Sequence, residues 1–106
     1  MVRDNEYAIK VAKINDEFRS TAQGVTVTKG VMEMEALPQL LSTVKNFSNF
    51  TSDNDPYGEH DFGSINWLGT KVFWKIDYYD ESLTYGEDPL SSRCRRILTV
   101  MLAIEY

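Results

Sequence analysis

Cysteine is nearly absent from this 106-residue chain. A single thiol, Cys94, excludes an internal disulfide. One cysteine and one histidine, His60, cannot supply the four ligands of a structural zinc site. No run approaches the roughly 18 apolar residues that would predict a membrane-spanning helix. No glycine-rich phosphate loop is present, and no basic stripe interleaved with aromatics. No cofactor and no direct contact with nucleic acid or membrane is therefore expected. The opening residues Met1-Val2-Arg3-Asp4-Asn5-Glu6 lack an apolar signal core, which predicts a cytoplasmic protein. A lone thiol fits that reducing compartment.

What remains is ordinary for one domain spanning 1–106. Hydrophobic residues make up 42% and charged residues 25%, with two Trp, six Tyr and five Phe to fill a core. The net charge of −5 is unevenly spread. Residues 1–52 balance six acids against six bases. Residues 53–88 set nine acids (Asp53, Asp55, Glu59, Asp61, Asp77, Asp80, Glu81, Glu87 and Asp88) against Lys71 and Lys75, a net of −7. Residues 89–106 carry Arg93, Arg95 and Arg96 against Glu105, a net of +2. A negative field of this kind repels phosphate backbones and favours cations or basic protein surfaces.

The hydrophobic period defines the elements. Tyr7, Val11, Ile14 and Phe18 recur at helical spacing over 4–20, with Asp4 as N-cap and Asp16, Glu17 and Arg19 off the stripe. Val25-Thr26-Val27-Thr28 is β-branched throughout and reads as a short strand that stops near Gly30. A second helix is predicted near 37–48, with Pro38 in its first turn and Leu37, Leu40, Leu41, Val44 and Phe47 on its stripe. The period then changes to two. Phe62–Trp67 and Lys71–Tyr79 predict a hairpin turning at Leu68-Gly69-Thr70. Val72, Trp74, Ile76 and Tyr78 share one face of the second strand, and Phe73, Lys75, Asp77 and Tyr79 share the other, wetter face. Ile97–Ile104 is apolar on both faces, which fits a central strand or a buried helix. Its β-branched content favours the strand. The order α-β-α-β-β-β predicts an α+β two-layer domain, an antiparallel sheet of three to four strands with two helices on one face. Val72, Trp74 and Ile76 are expected to pack against Leu40, Leu41, Val44, Ile14 and Phe18.

Between the second helix and the hairpin lies Asp53-Asn54-Asp55-Pro56-Tyr57-Gly58-Glu59-His60-Asp61-Phe62-Gly63. Asp53, Asp55, Gly58 and Asp61 match positions one, three, six and nine of an EF-hand loop, but Tyr57 stands at five and Ser64 at twelve, so the closing bidentate ligand is missing. A looser divalent-metal site would draw on Asp55, Glu59, His60 and Asp61, with Asp53 beside them. Such a metal would lower the pKa of bound water and support a small hydrolase or nuclease. His60 between Glu59 and Asp61 has the makings of a general base, but strand alternation argues against both neighbours facing it, and no nucleophile elbow accompanies it. Cys94 has Arg93, Arg95 and Arg96 to favour its thiolate. It lacks a nearby base. No catalytic residue is assigned. Asp or Asn turns and a positive φ at Gly58 would account for the loop structurally.

Asp53–Gly63, then Phe73-Trp74-Lys75-Ile76-Asp77-Tyr78-Tyr79-Asp80, then Arg96-Ile97-Leu98-Thr99-Val100-Met101-Leu102-Ala103 and Glu105-Tyr106 together resemble a bacterial domain family, DUF3768. Asn15-Asp16 and Phe18-Arg19 also fit, so the resemblance runs over 14–106. It implies a small cytosolic protein of plasmids and other mobile DNA, and it implies no reaction. Joined to the charge pattern, it leads to the expectation of a binding module. Asp53, Asp55, Tyr57, Glu59, Asp61, Asp77, Asp80, Tyr85 and Asp88 would form an acidic, aromatic-rimmed face for a basic protein surface. A host defence complex that binds nucleic acid carries such a surface. An anti-restriction or anti-CRISPR inhibitor would be the sharp form of this expectation, and the metal-dependent enzyme its alternative.

Overall fold

The computed structural model describes residues 5–106. Helix α1 spans Asn5–Thr21, a stretch without glycine or proline. The predicted N-cap, Asp4, lies outside the described residues. Strand β1 is Thr26–Val27 and the single turn α2 is Lys29–Met32. Helix α3 is Leu37–Lys45, with Pro38 in its first turn as expected. Strands β2 (Phe62–Trp67), β3 (Thr70–Tyr79) and β4 (Arg95–Leu102) follow, and a 3-10 turn covers Ala103–Glu105. The ambiguous apolar segment is thus a central strand.

The hairpin turns on two residues, Leu68 and Gly69, both left-handed at φ 51° and 85°. That is the twist-matched two-residue turn, and Thr70 lies in the ladder opposite Trp67. The sheet has the order β1-β4-β3-β2. Its three long strands are antiparallel, as the sequence predicts, but β1 runs parallel to β4, with Thr26 opposite Thr99. The sheet is therefore mixed. Two helices and a hairpin separate β1 from β4, and a crossover of that length frees the strand direction, whereas a tight turn would force reversal. The α2 turn was not legible. Its Gly30 N–H donates to the Glu105 carboxylate (3.1 Å), which also accepts from the Thr28 hydroxyl (2.5 Å) and Leu102 N–H (2.8 Å). These bonds hold that carboxyl below its usual range.

Trp74 is fully buried at the centre of the core, with Val72, Ile76, Leu98 and Val100 from the sheet and Leu40, Val44 and Val31 from the helices. Each such side chain contributes roughly 1.5–3 kcal/mol by leaving water. Gly63 sits opposite Trp74 in the ladder, and a Cβ there would collide with the indole ring. The α1 face departs from expectation. The buried positions are Ala8, Val11, Ala12, Asn15 and Arg19, while Ile14 is 39% exposed. Ala8 and Ala12 let the helix approach closely, and the part of the sheet facing it carries Tyr78 and Arg96, polar groups that select polar partners. Ile14 accordingly does not join the core. Leu41 and Phe18 pack at its rim.

Candidate functional site

The acidic loop is built from turns. Thr51 and Asn54 exchange bonds, Thr51 N–H to Asn54 Oδ1 (3.1 Å) and Asn54 N–H to Thr51 Oγ1 (3.3 Å). Gly58 takes the predicted positive φ, 68°. His60 is also left-handed, at φ 55°, an uncommon conformation for a residue with a Cβ. It is held there by the buried Asp55 carboxylate, which accepts the His60 N–H at 3.1 and 3.3 Å. The imidazole stacks on Phe50 at 3.8 Å, and Nδ1 donates to Asp16 of α1 (2.9 Å).

Arg19 lies one turn further along α1, only 3% exposed. Its Nε donates to Val44 O (3.1 Å), and its Nη2 to Phe47 O (2.8 Å) and Asp16 (3.2 Å). The guanidinium carbon sits 4.7 Å over Trp74 and 5.4 Å over Phe50. Nη1 is buried without a hydrogen-bond partner. Burial lowers the Arg19 pKa against the opposing pull of Asp16. Asp16, Arg19, Phe50 and His60 border a groove of about 540 Å³ with Lys45 and Phe47.

A second polar chain crosses the α1–sheet interface. Arg96 Nε donates to Asn15 Oδ1 (2.7 Å), and Asn15 Nδ2 donates to Glu59 O (2.9 Å) and to Tyr78 Oη (2.8 Å). The Tyr78 hydroxyl lies 3.4 Å from both Glu59 and Asp61 carboxylates, and one proton cannot serve both. Burial, then Glu59 and Asp55, push the Asp61 carboxyl above its usual range. Burial and Asp61 likewise raise the Tyr78 hydroxyl.

The expected face is divided by the fold. Asp55 and Glu59 turn inward, the latter 4% exposed, so they support the loop from beneath. Tyr57, Asp61, Phe62, Lys75, Asp77 and Tyr106 line one groove of about 390 Å³ together with Asn54. Tyr57 is 69% and Tyr106 76% exposed. Asp77 pairs there with Lys75 (2.9 Å). Asp53 is exposed. Asp80 is spent on its own loop, accepting from the Ser82 hydroxyl (2.7 Å) and the Thr84 (3.1 Å) and Tyr85 (3.4 Å) N–H groups, which keep its carboxyl low. Asp88 accepts from Leu90 N–H (2.8 Å) and the Tyr7 hydroxyl (3.1 Å), and Tyr85 is exposed. Both acidic segments nonetheless attach to one edge of β3. Ile76 N–H donates to Asp61 O (2.9 Å), and further along Asp80 N–H donates to Tyr85 O (2.8 Å) and Glu87 N–H to Tyr78 O (3.3 Å).

Among the described residues, no three His, Cys, Asp or Glu side chains are placed to hold a metal ion, Asp55, Glu59, His60 and Asp61 included. Cys94 is half-buried, and burial raises its thiol pKa more than Arg96 lowers it, so the expected thiolate is not favoured. Sequence reasoning missed Asn15 and Arg19 as buried polar groups, and Arg96 as the half-buried partner of Asn15 across the seam. The four-residue spacing Val11-Asn15-Arg19 beside Ala8 and Ala12 was the available signal. Nothing in the sequence pointed to Tyr106 as a groove wall.

These features define a two-layer α+β domain with a mixed four-stranded sheet and a polar seam beneath one helix. Residues 25–105 match the family model described as protein of unknown function (DUF3768). The chain belongs to this family, and α1 lies ahead of the matched residues. No curated protein and no solved structure matches the chain. No helix among the described residues is long and apolar enough to cross a membrane.

Proposed function

We propose that this protein is a non-enzymatic binding module that presents an acidic, aromatic-walled groove to a basic protein surface. The observation that carries the reading is the meeting of Tyr57, Asp61, Asp77 and Tyr106 in one groove, from three separate parts of the chain. Exposed tyrosines supply contact area at low entropic cost, and interfaces favour them. Asp61 is half-buried among other carboxylates, so an approaching cation relieves a repulsion already present in the free protein. A nucleic-acid-binding host defence complex is the partner class suggested by a mobile-element protein, since a surface evolved for phosphates is basic. An inhibitor of restriction or CRISPR systems is the specific form of the proposal.

The experiment is calorimetric titration with a lysine- and arginine-rich peptide beside a glutamate-rich peptide of equal length. The basic peptide should bind, and more weakly as salt rises, because screening shortens the Debye length from about 10 Å at 0.1 M to about 3 Å at 1 M. An Asp61→Asn, Asp77→Asn double variant should lose about tenfold in affinity, equivalent to ~1.4 kcal/mol. These two positions are cleaner than Asp80, whose carboxylate organises its own loop. Equal binding of both peptides, or no effect of the double variant, refutes the acidic-groove reading.

A further inference from the structure

The two edges of the sheet are not alike. On one side the edge strand, β1, has two residues. On the other, β2 has six, Phe62-Gly63-Ser64-Ile65-Asn66-Trp67, with no charged residue and no proline. Natural sheets usually guard an edge of that length with charge, proline or a covering element, because its unpaired N–H and C=O groups template another strand. The hydrogen-bonding phase of β2 follows from the bond of Ile76 N–H to Asp61 O. In an antiparallel ladder, opposite residues alternate between bonded and non-bonded pairs. Asp61 opposite Ile76 is a bonded pair, so Gly63, Ile65 and Trp67 also point their backbone groups at β3. The N–H and C=O groups of Phe62, Ser64 and Asn66 therefore point away from the sheet. Among the described residues no backbone or side-chain group bonds to them. This free edge leads directly into the acidic groove, because Phe62 belongs to both.

We propose that the β2 edge receives an extended basic peptide segment of the partner as a fifth, antiparallel strand. Main-chain bonds to Phe62, Ser64 and Asn66 would hold the segment. In that orientation its C-terminal end lies beside Phe62, where Lys or Arg side chains enter the groove at Asp61 and Asp77 between Tyr57 and Tyr106. Asp61 and Asp77 against the single Lys75 leave the groove net acidic, which selects a basic segment, and the uncharged strand leaves its backbone open to it. The inference rests on the acidic-groove reading and adds the form of the partner.

The test uses the full chain and the acetylated, amidated peptide Thr-Val-Thr-Val-Thr-Lys-Arg. Three measurements are made: affinity by titration calorimetry, amide exchange by NMR, and mass by sedimentation. Binding should protect the Phe62, Ser64 and Asn66 amides from exchange. Ser64→Pro removes an outward N–H that the ladder does not use, so the fold should persist while affinity falls by about tenfold or more. N-methylation of both peptide valines tests the same bonds with the protein unchanged, and it too should lose about tenfold. If Ser64→Pro and N-methyl peptides bind as tightly as their parents, the strand addition is refuted while the groove reading stands. If the wild type binds no basic peptide at all, both fall. If the three amides are already protected without peptide in a species of twice the chain mass, a second copy occupies the edge and the proposal is overturned.

Discussion

The packing of Trp74 on Gly63 makes a quantitative prediction. The two residues are directly opposite in the β2–β3 ladder, and the indole lies where a Cβ on residue 63 would be. Gly63→Ala forces either the strand or the buried ring to move, and overpacking of this kind costs about 1–3 kcal/mol. Trp74 is 0% exposed, so Trp74→Phe removes part of a fully packed ring and opens a gap, a loss below the ~3–5 kcal/mol expected for Trp74→Ala. The gap and the new methyl lie on the same side of the sheet. The Gly63→Ala, Trp74→Phe double variant should therefore be more stable than the sum of the single losses implies, by ~0.5–3 kcal/mol. Urea unfolding of the four proteins, read by fluorescence and circular dichroism, closes the cycle. Additivity within about 0.3–0.5 kcal/mol would refute the contact, as would a Gly63→Ala variant of wild-type stability.

Two further substitutions test the polar seam. Arg19→Ala leaves the Phe47 carbonyl without its guanidinium partner and uncovers one face of Trp74, so at least ~2 kcal/mol of stability should be lost. A urea midpoint equal to that of wild type would show that Arg19 is not structural. Asp61 has a folded-state pKa above its unfolded one, so its ionisation destabilises the native state as pH rises through that folded pKa. Asp61→Asn should raise the melting temperature at about pH 7, and the advantage should vanish near pH 3, below the ordinary carboxylate pKa of ~3.9. A gap of the same size at both pH values would mean that ionisation is not its cause.

Strand alternation carried the hairpin. Val72, Trp74 and Ile76 alternate with Phe73, Lys75 and Asp77, which leaves one face to bury, and Leu68-Gly69-Thr70 marked the turn, although the structure closes it on Leu68-Gly69 alone and pairs Thr70 with Trp67. These are local constraints, and they were legible in the sequence together with the α+β class, the start of α3 and the positive φ at Gly58. Family membership was also legible, from motifs spread along the chain. The rotation of α1 was not. Hydrophobicity placed Ile14 inward and Arg19 outward, but the helix meets a stretch of sheet bearing Tyr78 and Arg96, and hydrogen bonding outweighed apolar area. Strand direction at β1 depended on a crossover whose path no local pattern encodes. The acidic loop was identified as a unit, yet only its folding divided the carboxylates between support and surface: Asp55 and Glu59 beneath, Asp53 outside, Asp61 between them. Charge counting registers how many acids a segment holds. Which of them meets Tyr106, and which backbone groups of β2 remain unpaired, are relations between residues far apart in sequence, and only tertiary structure decides them.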